Sequence, residues 1–168
     1  LRLDLVLNDF VATAIHKSQI DILSDGSPWR PLIDVEDMAR AIYWACHRDK
    51  GEQFEIINIG SPQWNYQIKD LAEAVKANLS KSVTLNINKD AVPDKRYYRV
   101  DFLKFYEMAD NRYTPKIDLR QSVSKMVKNL MHYPDRLSLS GRKHLIRLNI
   151  LQNLKNKKYL NENLEWII

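Results

Sequence analysis

Arg30 is the residue whose neighbours best prepare it to act as a fixed cation. It stands between Pro28 and Pro31, after the turn dipeptide Asp25-Gly26, so the backbone around it is kept out of helix. A second cationic group, Arg96 and Arg99, lies in the run Pro93-Asp94-Lys95-Arg96-Tyr97-Tyr98-Arg99-Val100-Asp101. A planar guanidinium offers paired N–H donors that match phosphate oxygens, which suits arginine to an anionic ligand better than lysine. Basic residues interleaved with aromatics also suit single-stranded nucleic acid, by stacking and phosphate contact. A solvated loop arginine is the plain alternative at each of these positions.

Other chemistries lack their residues. Glu36 and Asp37 are adjacent, so on a helix they point to different faces and make a poor acid/base pair. The four histidines, His16, His47, His132 and His144, have no metal-ligand spacing. Cys46 is the single cysteine, which excludes an internal disulfide. It lies near the apolar face of a predicted helix and reads as a small core residue rather than a nucleophile. The only glycines, Gly26, Gly51, Gly60 and Gly141, are too far apart to form a loop that cradles a pyrophosphate.

The elements that position Arg30 are well signalled. Ile20-Asp21-Ile22-Leu23 reads as a strand ending at the Asp25-Gly26 turn. Asp34 is an N-cap with Glu36 and Asp37 in the first turn behind it. Met38, Ala41, Ile42 and Ala45 then form one apolar helix face. Upstream, Leu3, Val6, Leu7, Phe10, Val11 and Ala14 make a helical stripe over residues 3–16. Downstream, residues 54–59 are the best strand in the chain, closed by Gly60-Ser61-Pro62. Asn65 is expected to cap a helix bearing Ile68, Leu71, Ala72, Val75 and Leu79, and residues 83–87 to form another strand. Asp101 caps a helix with Leu103, Phe105, Tyr106 and Met108, and Asn111 can supply a left-handed residue at its exit. Asp118 and Gln121 have capping-box spacing before Val123, Met126, Val127 and Leu130. Leu145, Leu148, Ile150, Leu151 and Leu154 suggest a last amphipathic helix.

The 168 residues are one domain's worth, 45% hydrophobic and 28% charged, which is ordinary for a soluble globular protein. No apolar run is long enough to span a membrane, and a cytoplasmic setting fits. The net charge of +5 admits nucleic acid, a membrane surface or an anionic small molecule as partner. Much of the excess falls in the last third, where a solvated helix face explains it.

The run from Asp25-Gly26 through Arg30 to Ile33-Asp34-Val35-Glu36-Asp37 resembles the substrate-binding half of the extended short-chain dehydrogenase/reductases, the NAD-dependent nucleotide-sugar epimerases and dehydratases. In that family a glycine turn precedes an arginine that grips the nucleotide diphosphate. The 54–60 segment matches its "strand, asparagine, apolar residue, glycine" sequence, and residues 93–101 its loop over the nucleotide sugar. The resemblance implies Arg96 or Arg99 as a second phosphate or ribose contact. It also offers Asn8, in the first helix, as the asparagine near the phosphates. The family's leucine-glycine-aromatic helix exit is replaced here by Asn111-Arg112-Tyr113.

The resemblance implies an α/β fold: the C-terminal part of an extended Rossmann-type enzyme, with a small mixed sheet and several helices. Residues 1–131 would be the nucleotide-sugar-binding part and 132–168 a helical extension, whose ending over residues 159–166 would serve as a docking strap or subunit contact. The family's catalytic tyrosine precedes a lysine by four positions. After the eight tyrosines that position holds His47, Asp70, Asp101, Phe102, Asp110, Ile117, Leu137 or Asn163. No catalytic residue is therefore assigned here. NAD is expected in the parent enzyme but not on this chain alone, and the chain reads as a fragment partnered by a missing N-terminal Rossmann part. The other expected partner is a nucleotide-diphosphate sugar, with a homodimer allowed. In the family much of the first helix packs on the upstream half, so the 3–16 stripe is expected to stand exposed. The rivals are a basic nucleic-acid-binding module using residues 95–99, and a non-catalytic interaction domain held by its C-terminal helices.

Overall fold

The computed structural model describes residues 2–49, 54–91, 98–133 and 144–167. The elements run α1 (Val6–Lys17), β1 (Gln19–Ile22), β2 (Trp29–Pro31), α2 (Val35–His47), a 3-10 turn (Pro62–Trp64), β3 (Asn65–Gln67) and α3 (Ile68–Ala77). They continue with β4 (Thr84–Ile87), α4 (Leu103–Met108), α5 (Leu119–Met131) and α6 (Arg147–Asn156). β1 and β4 pair in parallel, with Gln19 opposite Thr84 and Ile22 opposite Ile87. β2 and β3 pair antiparallel, with Trp29 opposite Gln67 and Pro31 opposite Asn65. The mixed strand directions expected of an α/β fold are thus divided between two ribbons rather than joined in one sheet.

The core is gathered round α1. Its Leu7, Phe10, Val11 and Ala14 are buried with Leu71, Ala72 and Val75 of α3, Val123 and Leu130 of α5, and Ile20 and Ile22 of β1. The 3–16 stripe is therefore covered within the chain, against the expectation that it stands exposed. Its helix also starts later than the apolar pattern does. The Leu3 N–H donates to the Leu145 carbonyl at 2.9 Å, which pins Leu3 outside the helix. Leu5 then serves as an N-cap with no side-chain bond.

α2 corrects a second expectation. Asp34 caps it as predicted, accepting from the Glu36 N–H at 2.9 Å. The buried face, however, is Asp37, Ala41 and Trp44. Val35, Met38 and Ile42 stand 74%, 46% and 56% exposed, and Cys46 is exposed rather than in the core. The rotation has a physical cause. The Asp37 carboxylate accepts the Lys116 and Ile117 N–H groups, each at 3.0 Å, and pairs with Arg40. Trp44 meets Phe105 edge-on, with ring centroids 5.3 Å apart. A carboxylate given such partners is a core residue, and apolar periodicity cannot register that.

Residues 54–59 are not a strand. Phe54 and Ile56 are exposed, and Ile57 and Ile59 pack on the small Trp44–Phe105 cluster. β-branched residues favour an extended backbone, but a ladder needs a partner, and the segment has none among the described residues. Gly60 follows in a close contact: a Cβ there would lie 2.5 Å from the Phe102 ring. Asn65 sits in β3 instead of capping α3, whose N-cap is Gln67. Asn111 does not take a left-handed conformation. The chain leaves α4 through extended Ala109 and a turn in which the Tyr113 N–H reaches the Asp110 carbonyl at 2.8 Å.

The capping box of Asp118 and Gln121 forms as expected at the start of α5. Ser122 in that helix donates to Asp34 at 2.6 Å, joining α5 to the cap of α2. α6 buries none of its residues, and Leu148, Ile150 and Leu151 face solvent. The segment after it folds back, with the Ile167 N–H on the Tyr159 carbonyl at 3.0 Å and Leu160 buried. No helix among the described residues is long and apolar enough to cross a membrane.

Candidate ligand cleft

A cleft of about 870 Å³ opens between the start of α1, the end of β1 and the β2 segment. Asn8 lines it from α1, Asp21 from β1, and Arg30, Leu32 and Ile33 from β2 and its continuation. Tyr98 closes it from the loop before α4.

The backbone explains this convergence. Gly26 takes φ +83°, a left-handed turn that only glycine adopts cheaply, and its carbonyl accepts the Lys69 N–H at 3.0 Å. The Pro28 carbonyl accepts the Ile68 N–H at 3.0 Å, so the turn is fixed to the start of α3. β2 then runs against β3, and the Leu32 N–H continues the pairing to the Trp64 carbonyl at 3.0 Å. Arg30 is thus carried on a strand tied at both ends. Its guanidinium donates to the Trp29 carbonyl at 2.7 Å and lies 5.7 Å from the centre of the Tyr98 ring.

Of the sequence-predicted site residues, Asn8 and Arg30 share this cleft. The Asn8 amide donates to the Arg2 carbonyl at 2.8 Å, so part of its hydrogen-bonding capacity is used within the chain. Arg99 does not line the cleft; it sits over the Trp29 ring, 5.1 Å from the centroid. Arg96 lies outside the described residues. The two stacks, Arg30 on Tyr98 and Arg99 on Trp29, interleave strand and loop, each worth about 0.5–1 kcal/mol at such exposed sites.

The cleft lining mixes charge. Asp4 is held below the usual carboxylate range by hydrogen bonds from Arg2, at 2.7 and 3.0 Å. Asp21 is held low by the Asn86 amide at 3.0 Å and by the Gln19 amide. With Asp9 these carboxylates set negative charge in the same lining as the Arg30 cation. Such a lining suits a ligand carrying both anionic and hydroxyl groups. No group of three metal-binding side chains occurs among the described residues.

Neither of the two described glycines is open to a dinucleotide. Gly26 is packed against Lys69 and Gly60 against Phe102, so neither offers open backbone to a pyrophosphate. Gly51 and Gly141 lie outside the described residues. Tyr98, Trp29 and Asp21 went unassigned from the sequence. The Tyr97-Tyr98 pair gave a composition signal, but which ring meets Arg30 depends on pairing between residues about seventy positions apart.

Residues 3–60 match the NAD dependent epimerase/dehydratase family. UDP-glucuronic acid decarboxylase 1 of Arabidopsis thaliana is 27% identical over 124 residues, which is 74% of this chain and 27% of that protein. The chain therefore spans about a quarter of the length of the curated relatives it matches. Among solved structures, UDP-glucuronic acid 4-epimerase from Bacillus cereus, in complex with UDP-glucuronic acid and NAD, is 23% identical with a TM-score of 0.63. That match covers 77% of this chain and 41% of the epimerase. RMD from Pseudomonas aeruginosa, complexed with NADPH, is 18% identical with a TM-score of 0.57 and covers 76% of this chain and 43% of its own. By sequence and by fold, the chain resembles the C-terminal part of the NAD-dependent epimerases and dehydratases of the extended short-chain dehydrogenase/reductase type.

Proposed function

We propose that this chain is the nucleotide-sugar-binding part of an NAD-dependent epimerase/dehydratase, and that Arg30 holds the diphosphate of the substrate. The observation that carries the reading is the cleft in which Asn8 and Arg30 meet, within the stretch matched to the family. The Arg30 guanidinium supplies paired donors to phosphate oxygens, and Asn8 lines the same wall. Asp9 and Asp21 accept hydroxyls of the ribose or sugar. Binding energy from the nucleotide then positions the sugar for chemistry that this chain does not perform, since it has neither a tyrosine–lysine pair nor a glycine-rich loop. Arg99 and Arg96 belong to the loop over the sugar nucleotide, and residues 132–168 form a helical extension to the binding part.

The Arabidopsis relatives and the Bacillus cereus structure make UDP-glucuronic acid the natural probe. Calorimetry of the chain with UDP-glucuronic acid, UDP and glucuronic acid separates the contributions. The reading predicts that UDP keeps most of the affinity and that glucuronic acid alone does not bind. Binding that follows the free sugar acid and ignores UDP would sink it.

A further inference from the structure

Asn65 makes an unusual pair of bonds with the loop that bears Tyr98 and Arg99. Its Nδ2 donates to the Val100 carbonyl at 3.0 Å, and its Oδ1 accepts the Val100 N–H at 3.0 Å. Both backbone groups of one residue are thus held by one carboxamide. Only a side chain with a donor and an acceptor side by side can do this, which limits the position to asparagine at this reach. Asn65 is itself fixed, because it lies in β3 directly opposite Pro31, next to Arg30 in β2. The neighbouring loop backbone is anchored as well: Asp101 accepts the Leu103 N–H at 2.9 Å, although Phe102 and not the expected Asp101 is the N-cap of α4.

On this register, Tyr98 rests on Arg30, Arg99 rests on Trp29, and Asn65 clamps the next residue, Val100. Tyr98 is half-exposed. We infer that Asn65 is a positioning residue: it clamps Val100 so that Tyr98 and Arg99 engage β2 and hold the Arg30 guanidinium ready for an anionic ligand. This rests on the proposed role of Arg30, but the clamp can be tested apart from it. A long, flexible arginine loses rotamer freedom when it grips a phosphate, and a side chain already held loses less. The expected gain is roughly two- to tenfold in affinity.

The test compares wild type, Asn65→Leu and Asn65→Asp. Leucine keeps the size of the side chain and removes both bonds, while aspartate keeps the acceptor and removes the donor. Amide hydrogen exchange reads the clamp without any ligand: Val100 is expected to be protected in wild type, to exchange faster in Asn65→Leu, and to keep part of its protection in Asn65→Asp, which retains the acceptor of its N–H. UDP calorimetry reads its consequence. Asn65→Leu is expected to weaken UDP about fivefold, and to have no further effect once Arg30 is alanine. A merely structural role would leave the Asn65→Leu effect undiminished in the Arg30→Ala background, and that result overturns the proposal. Unprotected Val100 in wild type overturns it too. If wild type fails to bind UDP while Val100 is protected and released by Asn65→Leu, the clamp stands and the proposed ligand is the part that fails.

Discussion

Asp37 carries more of the fold than an acidic residue in a first helical turn normally would. It is 1% exposed, yet it satisfies two backbone N–H groups of the 116–117 segment and the Arg40 guanidinium. Removing the carboxylate strands those donors. Asp37→Ala is therefore expected to destabilise the protein by about 3 kcal/mol, toward the lower end for a buried pair because Arg40 is partly solvated. Urea unfolding measures it, and a loss under 1 kcal/mol would show that water replaces the carboxylate. Gly60 makes the opposite kind of demand, for empty space. Gly60→Ala places a methyl group against the Phe102 ring, with an expected cost of about 1–3 kcal/mol. The companion variant Gly60→Ala/Phe102→Leu should recover part of that loss if the ring is the cause.

At the scale of elements, the β1–β4 ribbon carries a pH-sensitive tie. Asp21 stands opposite Asn86 in the parallel register and accepts its amide at 3.0 Å. That bond, with the Gln19 amide, lowers the folded-state pKa of Asp21. A lowered folded pKa means stabilisation that is present above the unfolded value of about 3.9 and is lost as pH falls through the folded value. Unfolding midpoints compared at pH 6 and pH 3 should therefore fall less steeply in Asn86→Ala than in wild type. Equal slopes would remove Asp21 from the account. The ribbon also marks how far sequence reaches. β1, β4, the cap at Asp34 and the box at Asp118 and Gln121 were legible because each depends on local pattern and spacing. The partner of Asn65, the rotation of α2 and the unpaired state of residues 54–59 were not. Each is decided by a contact between distant segments: Asn65 with Val100, Asp37 with 116–117, and a ladder partner that propensity cannot supply. In the cleft, Arg30 was legible from its turn, whereas Tyr98 and Trp29 required the fold to bring loop and strand together.

For the molecule as a whole, the structure moves the exposed apolar surface from α1 to α2. Val35, Met38 and Ile42 lie on one helix face, all exposed, and Val35 and Met38 line a shared hollow with exposed Leu5. Apolar patches of this kind bind hydrophobic dyes in monomeric proteins. The double variant Met38→Glu/Ile42→Lys is expected to lose most of the dye emission while changing stability by no more than about 0.5 kcal/mol. Undiminished emission would locate the patch elsewhere, for example on α6. The central claim concerns β2, where one guanidinium is held on a tied strand in the lining of a cleft. A charge-assisted grip on phosphate is worth about 1.5–3 kcal/mol, or roughly 10- to 100-fold in affinity. Titration of UDP-glucuronic acid into wild type and Arg30→Ala by calorimetry tests it most directly. The account predicts binding by wild type that weakens by at least about tenfold in Arg30→Ala, with no binding of NAD to either. Equal affinities in the two proteins, or NAD binding by this chain, would contradict it.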